Sequence, residues 1–328
     1  MLSGGPARRA RGSREGVWEM AMIAGGRRVR MSPMRRREAL AGFLFVSPWL
    51  LSLLLFTTYP VLRAFYLSFT EYNIVQPPKW TGLANYRTMF TTDTAFWPSV
   101  RNSAYYALLS VPLRLVLALA LALLLNLRAR GIGAYRTLYY LPALAPPVAG
   151  TIIFILMFEP DRGLINAVLG GLGLSEPGWL TDPKWSKPAL VILSLWGLGA
   201  ESLIFLAGLK EIPPSLLEAA AIDGAGPWQR FRNITIPLLT PVILFNLVLG
   251  VIGSFQVFTQ ALVIGGTTGE PLESTLMFMV HIYRNAFRYF SMGYASALAV
   301  MLFLAILAIT LIIFRSARVW VYYEGEER

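Results

Sequence analysis

Two side chains keep improbable company. Glu201 and Arg114 each stand inside a long apolar run, where an ionised group is costly and marks a functional site or a paired charge. A neutral polar set punctuates a second apolar run: Asn246, Ser254, Gln256, Thr259 and Gln260, with Phe255 and Phe258 between them. Amides and aromatic faces in that mixture suit a ligand that has both polar groups and apolar faces. Taken one at a time, each has an ordinary alternative as an interhelical hydrogen bond. Glu201 and Arg114 lie at matching depths in their runs, 13 and 12 residues from one end. At roughly 1.5 Å per residue they fall within about 2 Å of each other in depth. Either they neutralise one another as a structural pair, or Glu201 faces a solute cavity.

Elsewhere the chemistry is thin. No cysteine is present, which removes disulfides, thiolate zinc sites, iron–sulfur clusters and cysteine nucleophiles. The one histidine, His281, reads as an ordinary residue of an outer loop. No G-x-x-x-x-G-K-[ST] loop occurs, so the chain cannot hydrolyse ATP by that route. A membrane-embedded enzyme would need clustered His, Asp or Glu in its core, and only Glu201 is there. The expectation is a chain that is not an enzyme, with no catalytic residue, no metal and no cofactor of its own.

What must hold these residues is a bilayer. Hydrophobic residues make up 55 % of the 328 and charged ones 14 %, against about 25 % charged in a soluble domain. Six stretches are long enough to cross, each near the 20 apolar residues required: 39–62, 102–127, 138–158, 188–209, 238–264 and 293–314. The net charge of +11 is concentrated at the start, where ten arginines and three glutamates give the first 38 residues +7. A basic leader against an apolar helix keeps an N-terminus inside, so nucleic acid is not an expected partner. With that orientation the inner segments hold 19 basic residues and the outer ones 9. The expectation is a multi-pass protein of the cell (plasma or inner) membrane with both termini cytoplasmic. Residues 1–38 read as a basic, disordered segment, in which 1–30 are a candidate mis-assigned start before Met31 or Met34. Residues 315–328 read as a cytoplasmic tail. A cleaved signal peptide does not fit. Trp80, Tyr86, Trp97, Trp179 and Trp185 enrich the outer loops, as an interfacial aromatic belt would.

One link is too long for a simple bundle, where two to eight residues are usual. Residues 210–237 read as two short helices about a glycine corner. Pro213-Pro214 stops the fourth crossing, and Ser215 with Glu218 has capping-box spacing. Ala219-Ala220-Ala221 favours helix, and Gly224 and Gly226 allow a sharp turn. Pro227 suits the first position of the second helix, along which Trp228, Phe231 and Ile234 recur every three residues. Pro237 is expected to end that helix.

The spacing Glu218-Ala219-Ala220, three residues, Gly224, nine residues, Ile234-Thr235-Ile236-Pro237 resembles the EAA loop of binding-protein-dependent ATP-binding-cassette importers. It departs only at Ile236, where leucine is usual. Leu206-Ala-Gly-Leu-Lys-Glu-Ile-Pro-Pro and the text from Glu218 to Phe231 are most similar to the carbohydrate-uptake branch. Thr81-Gly-Leu-Ala-Asn85-Tyr86 and the segment from Ala286 through Ala297 resemble the larger membrane subunit of the maltose and glycerol-phosphate type. Gly265-Gly266-Thr-Thr-Gly269-Glu-Pro271 fits too, though it departs from the commoner T-x-G-G-P form. The resemblance runs from about 38 to 315.

The resemblance implies an all-α, six-helix type I importer permease bundle with a cytoplasmic coupling helix. It implies one half of a permease heterodimer, partnered by a second homologous permease subunit, an ATPase dimer that holds ATP-Mg, and an extracytoplasmic solute-binding protein. Glu218, Ala219, Ala220, Asp223, Gly224, Ala225, Ile234 and Pro237 would form the coupling surface. Glu201, Asn246, Ser254, Phe255, Gln256, Phe258, Thr259 and Gln260 are the candidates for the solute path. The solute would be a sugar or a related compound. Alternatives are a glycerol-3-phosphate permease subunit, or a secondary transporter acting alone.

Overall fold

The computed structural model describes residues 33–127 and 129–322 and divides into two compact units, 1–61 and 62–328. The basic leader as far as residue 32 and the tail from residue 323 lie outside the described residues.

In the first unit, α1 (Pro33–Leu53) takes up residues 33–38 as helix, where disorder was expected. It widens into a π turn at Leu54–Thr58 and resumes as α2 (Tyr59–Leu67), whose residues from 62 onward belong to the second unit. The widening has a local cause. Pro60 has no N–H for the carbonyl four residues back, and its ring crowds that turn. Tyr59, just before it, instead donates five residues back to Leu54 O.

After α2 the second unit forms a short antiparallel hairpin, β1 (Thr70–Glu71) and β2 (Lys79–Trp80), with Thr70 opposite Trp80. Helices then follow: α3 (Ala84–Thr91), α4 (Phe96–Leu125), α5 (Ile132–Leu144), α6 (Pro147–Met157), α7 (Leu164–Gly171), α8 (Pro183–Ser194), α9 (Gly199–Glu211), α10 (Pro214–Ile222), α11 (Pro227–Arg230), α12 (Ile236–Phe255), α13 (Thr259–Gly265), α14 (Phe278–Tyr283) and α15 (Met292–Trp320). Among the described residues, four helical stretches are long and apolar enough to cross a bilayer: Leu40–Leu67, Phe96–Leu125, Pro227–Gly265 and Met292–Trp320. Two bent pairs coincide with the third and fourth expected crossings and bring the number to six if each pair is one span. α5 and α6 meet at 97° across Ala145-Pro146, and α8, extended by a 3-10 turn at Leu195–Gly197, meets α9 at 50° across Leu198.

The core next to the long link 210–237 is made by α4, α9 and α12. Ala118 and Ala122, four residues apart on one face of α4, are fully buried with Phe205, Leu206 and Leu209 of α9 and Leu239 of α12. Small residues let apolar helices approach where lipid tails remove any hydrophobic drive between them. Gly208 takes this furthest. A Cβ there would stand 2.7 Å from Val242 Cγ2 and 3.1 Å from Leu239 Cδ2. At the opposite end the bonds are polar. Asn102 Nδ2 donates to the carbonyls of Glu273 (2.7 Å) and Leu276 (3.1 Å), and Phe278 N–H donates to Ser103 Oγ at 2.8 Å.

His281 departs from its expected place in an outer loop. It is 1 % exposed, with Nε2 2.7 Å from Asp93 Oδ2 and Nδ1 3.1 Å from Arg284 Nη2. Tyr294 O–H donates to the same Asp93 oxygen. Burial pushes the Asp93 carboxyl up, but hydrogen bonds from His281 and Tyr294, the charge of His281 and the Ala95 N–H outweigh it. The net result is a fall from 3.8 to about 2. Trp179 is likewise interior, its Nε1–H donating to Asn166 Oδ1 at 2.8 Å. Tyr86 O–H donates to Ser68 Oγ at 2.9 Å. These two hold the fold together, whereas Trp80 and Trp97 are exposed.

Candidate functional site

A cavity of about 470 Å³ lies where α4, α9, α12 and α13 converge. Three of its walls are helix faces. On α4, Tyr106, Ser110 and Arg114 recur every four residues and share one face. α12 contributes Asn246, Gly250, Gly253 and Ser254, and α9 contributes Ala200, Glu201 and Ile204. The remaining wall is a helix break. α12 gives way at Gln256, Phe258 leaves the helical region (φ −133°, ψ −63°), and α13 resumes at Thr259. Irregular backbone at membrane depth is tolerated where it lines a cavity, and Gln256, Val257 and Phe258 all do.

Of the eight residues expected on a solute path, seven line this cavity. Phe255 does not. It packs towards the cluster of Met89, Phe96 and Phe278, because consecutive residues of α12 point about 100° apart and Ser254 already takes the cavity side. Asn246 and Ser254 do not bond between helices either. Asn246 Nδ2 donates to Val242 O (3.1 Å) and Ser254 Oγ to Val251 O (2.8 Å), both on their own helix. Tyr106 and Ser110 are cavity residues outside the expected set, although the four-residue step that leads from them to Arg114 is visible in the sequence.

Arg114 and Glu201 are both paired and cavity-facing, so the two readings of Glu201 are compatible. Arg114 Nη2 makes an ion pair with Glu201 Oε1, and Nη1 donates to Ser194 O at 2.7 Å. Ser194 ends α8, whose last carbonyls carry partial negative charge and attract a cation. Glu201 lies in the first turn of α9, where partial positive charge favours a carboxylate. One guanidinium thus spans the 50° bend between α8 and α9. A second cavity of about 190 Å³ adjoins the first, and Tyr106, Arg114, Pro147 and Gln260 line both.

The elbow is built from α10 and α11. Pro214 occupies the first helical position of α10, which puts Ser215 one residue inside. Ser215 therefore cannot cap, and the expected box with Glu218 does not form. Half of such a box forms one helix later, where Gly226 N–H donates to Gln229 Oε1 at 2.8 Å. α10 ends in a Schellman motif, with Ala225 N–H on Ala220 O (2.8 Å) and Gly224 N–H on Ala221 O (3.1 Å). Gly224 supplies the left-handed residue this needs, at φ +82°.

Pro237 does not end the second helix. Ile236 N–H reaches five residues back to Phe231 O, a π turn over Phe231–Thr235 absorbs the proline, and the helix runs on into α12. This is the device already seen before Pro60. Glu218, Ala219, Asp223 and Gly224 are exposed, while Ala220, Ala225, Ile234 and Pro237 are half-buried. Glu218 takes part in neither of the two ion pairs found among the described residues. Ile222 (87 %) and Trp228 (68 %) stand out into solvent beside them.

Residues 114–319 match the model of a family described as binding-protein-dependent transport system inner membrane component. The chain is 44 % identical over 296 residues to the "Probable ABC transporter permease protein YesP" of Bacillus subtilis (strain 168), covering 89 % of this chain and 95 % of that one. It is 36 % identical over 293 residues to the lactose transport system permease protein LacF of Rhizobium radiobacter, covering 88 % and 97 %. Its fold is similar to a chain in the crystal structure of a bacterial ABC transporter involved in the import of the acidic polysaccharide alginate. The TM-score is 0.75 at 25 % identity, over 86 % of this chain and 96 % of that one. The chain belongs to the family of binding-protein-dependent inner membrane components, a family of transport subunits.

Proposed function

We propose that this importer permease subunit forms half of a path for a carbohydrate, and that an ATPase on another chain drives it through the elbow. The single observation that carries this is the continuity between elbow and cavity. α9 leads into α10 through Ile212-Pro213, and α11 leads unbroken through its π turn into α12. Both helices attached to the elbow are walls of the cavity. From Glu211 to Glu201 is about 15 Å of helix, and from Pro237 to Asn246 about 14 Å. The two helices touch at Gly208, so a displacement of the elbow moves two walls as one body. Rocking of rigid helix groups about a central site is how alternating access works.

Glu218, Ala219, Ala220, Asp223, Gly224 and Ala225 would seat in the ATPase, with Ile234 and Pro237 behind them. Small side chains permit close approach, and the uncommitted Glu218 carboxylate offers a charge to a cationic partner. ATP-Mg belongs to that partner and not to this chain. A second homologous permease would complete the path, and a soluble receptor would deliver solute at the end opposite the elbow. The elbow would face the cytoplasm with both termini, as the basic-residue bias supports. Relatives named for lactose and for alginate support a saccharide over glycerol phosphate as the solute. A secondary transporter acting alone has no use for a binding-protein-dependent component.

Calorimetric titration of the cognate receptor with lactose, maltotriose, arabinotriose and digalacturonate tests the solute class, followed by uptake into proteoliposomes holding the complete transporter. ATP-dependent uptake of at least one is expected. Uptake of none of them, or uptake by this chain without an ATPase, would sink the reading.

A further inference from the structure

The Arg114–Glu201 pair has features that a purely structural ion pair does not need. Both side chains remain about a quarter exposed, at 27 % and 24 %, and both line the larger cavity. The pair is also incompletely used. Glu201 Oε1 receives Arg114, while Oε2 is enclosed with no hydrogen-bond partner. Buried carboxylate oxygens ordinarily find a donor, and one left over calls for an explanation. Close by on the same cavity wall, Ser110 Oγ is also enclosed without a partner, in a residue 1 % exposed. Glu201 and Ser110 thus each carry one oxygen without a partner, and both residues line the same cavity as Arg114.

We propose that Arg114 and Glu201 recognise the solute directly, through a pair of neighbouring hydroxyls. One hydroxyl donates to the carboxylate, and its neighbour accepts from the guanidinium. This rests on the carbohydrate reading and adds to it the chemical group that is read. Adjacent hydroxyls are alternately donor and acceptor, so they match a carboxylate and a guanidinium held side by side. The match is independent of whatever charge the sugar carries elsewhere. Ser194 O is what makes the arrangement durable. It holds Arg114 across the bend by a second bond, so the guanidinium keeps its place when Glu201 turns towards a solute.

The test uses the complete transporter in proteoliposomes, with whichever of the four sugars above the wild type takes up, and a set of monodeoxy analogues of that sugar. For Glu201→Gln, assembly with the partner subunits is checked first by gel filtration. Maximal uptake is expected to fall about tenfold, while the KM for loaded receptor moves less than twofold. In the wild type, one deoxy analogue should lose about tenfold, and in Glu201→Gln the same analogue should lose nothing further. That non-additivity is a signature a structural role would not produce. Wild-type uptake by an assembled Glu201→Gln transporter would overturn the inference alone. So would full uptake by the charge-swapped Arg114→Glu/Glu201→Arg double variant, which would leave the pair a clasp and nothing more. Failure of the wild type to take up any of the four sugars would overturn the carbohydrate reading, and this inference with it.

Discussion

Gly224 offers a measurement of how much the shape of the elbow matters. Its φ of +82° lies where an L side chain is strained, yet a Cβ built there would meet nothing within 4 Å. Replacing it by alanine therefore costs backbone conformation alone. Left-handed backbone costs a non-glycine residue about 1–2 kcal/mol, and about 1.4 kcal/mol is a factor of ten. The Schellman turn should open roughly 5–30 times more often in Gly224→Ala. Asparagine tolerates this region better than alanine, so Gly224→Asn should fall between the two. The partner-free assay is limited proteolysis of the solubilised chain, in which cleavage at the elbow tracks the population of the open form. The functional assay is solute-stimulated ATP hydrolysis by the assembled transporter. It should fall in the same order, glycine then asparagine then alanine. If the elbow of Gly224→Ala is cut no faster than that of the wild type, the conformational argument is wrong. If cleavage follows the order but hydrolysis does not, the elbow is not the handle.

Two further outcomes follow from packing and from charge. Gly208→Ala should destabilise the α9–α12 contact by about 1–3 kcal/mol through overpacking. Because the Cβ would strike the tip of Val242, Val242→Ala should recover most of the loss, as read by thermal melting in detergent. Asp93 gives a pH signature. Its carboxyl titrates at about 2 in the fold instead of 3.8, so its contribution is complete above about pH 4 and is lost as pH falls towards 2. After discounting for the solvent that still reaches the carboxylate, that contribution is about 1 kcal/mol. Melting between pH 2 and 4 should slope less steeply in His281→Ala, and an unchanged slope would mean that His281 does not hold the carboxylate down.

How much of this could be read beforehand depended on where the determining partner lies. The Schellman glycine, the prolines that open α10 and α11 and the polar punctuation of the fifth crossing are set by residues within one or two turns, so spacing alone finds them. Where expectation failed locally, two rules competed for one position. Pro214 and Ser215 cannot both begin α10, and the proline's fixed φ won. Pro237 ends a helix by the usual rule, but a π turn is a cheaper answer when the helix must go on into a wall of the cavity. His281 failed for a different reason. Its partner Asp93 is 188 residues away, and nothing near either residue in the chain announces the other. Arg114 and Glu201 lie 87 residues apart, and nothing in their immediate neighbourhoods joins them either. They were legible because a bilayer reduces the search to one dimension: two opposite charges at one depth, each too costly to leave alone, must find each other or a substitute. The same constraint left undecided whether the pair serves structure or solute. Depth fixes which residues can meet, and only the cavity beside them and the unused oxygen of Glu201 speak to what else they meet.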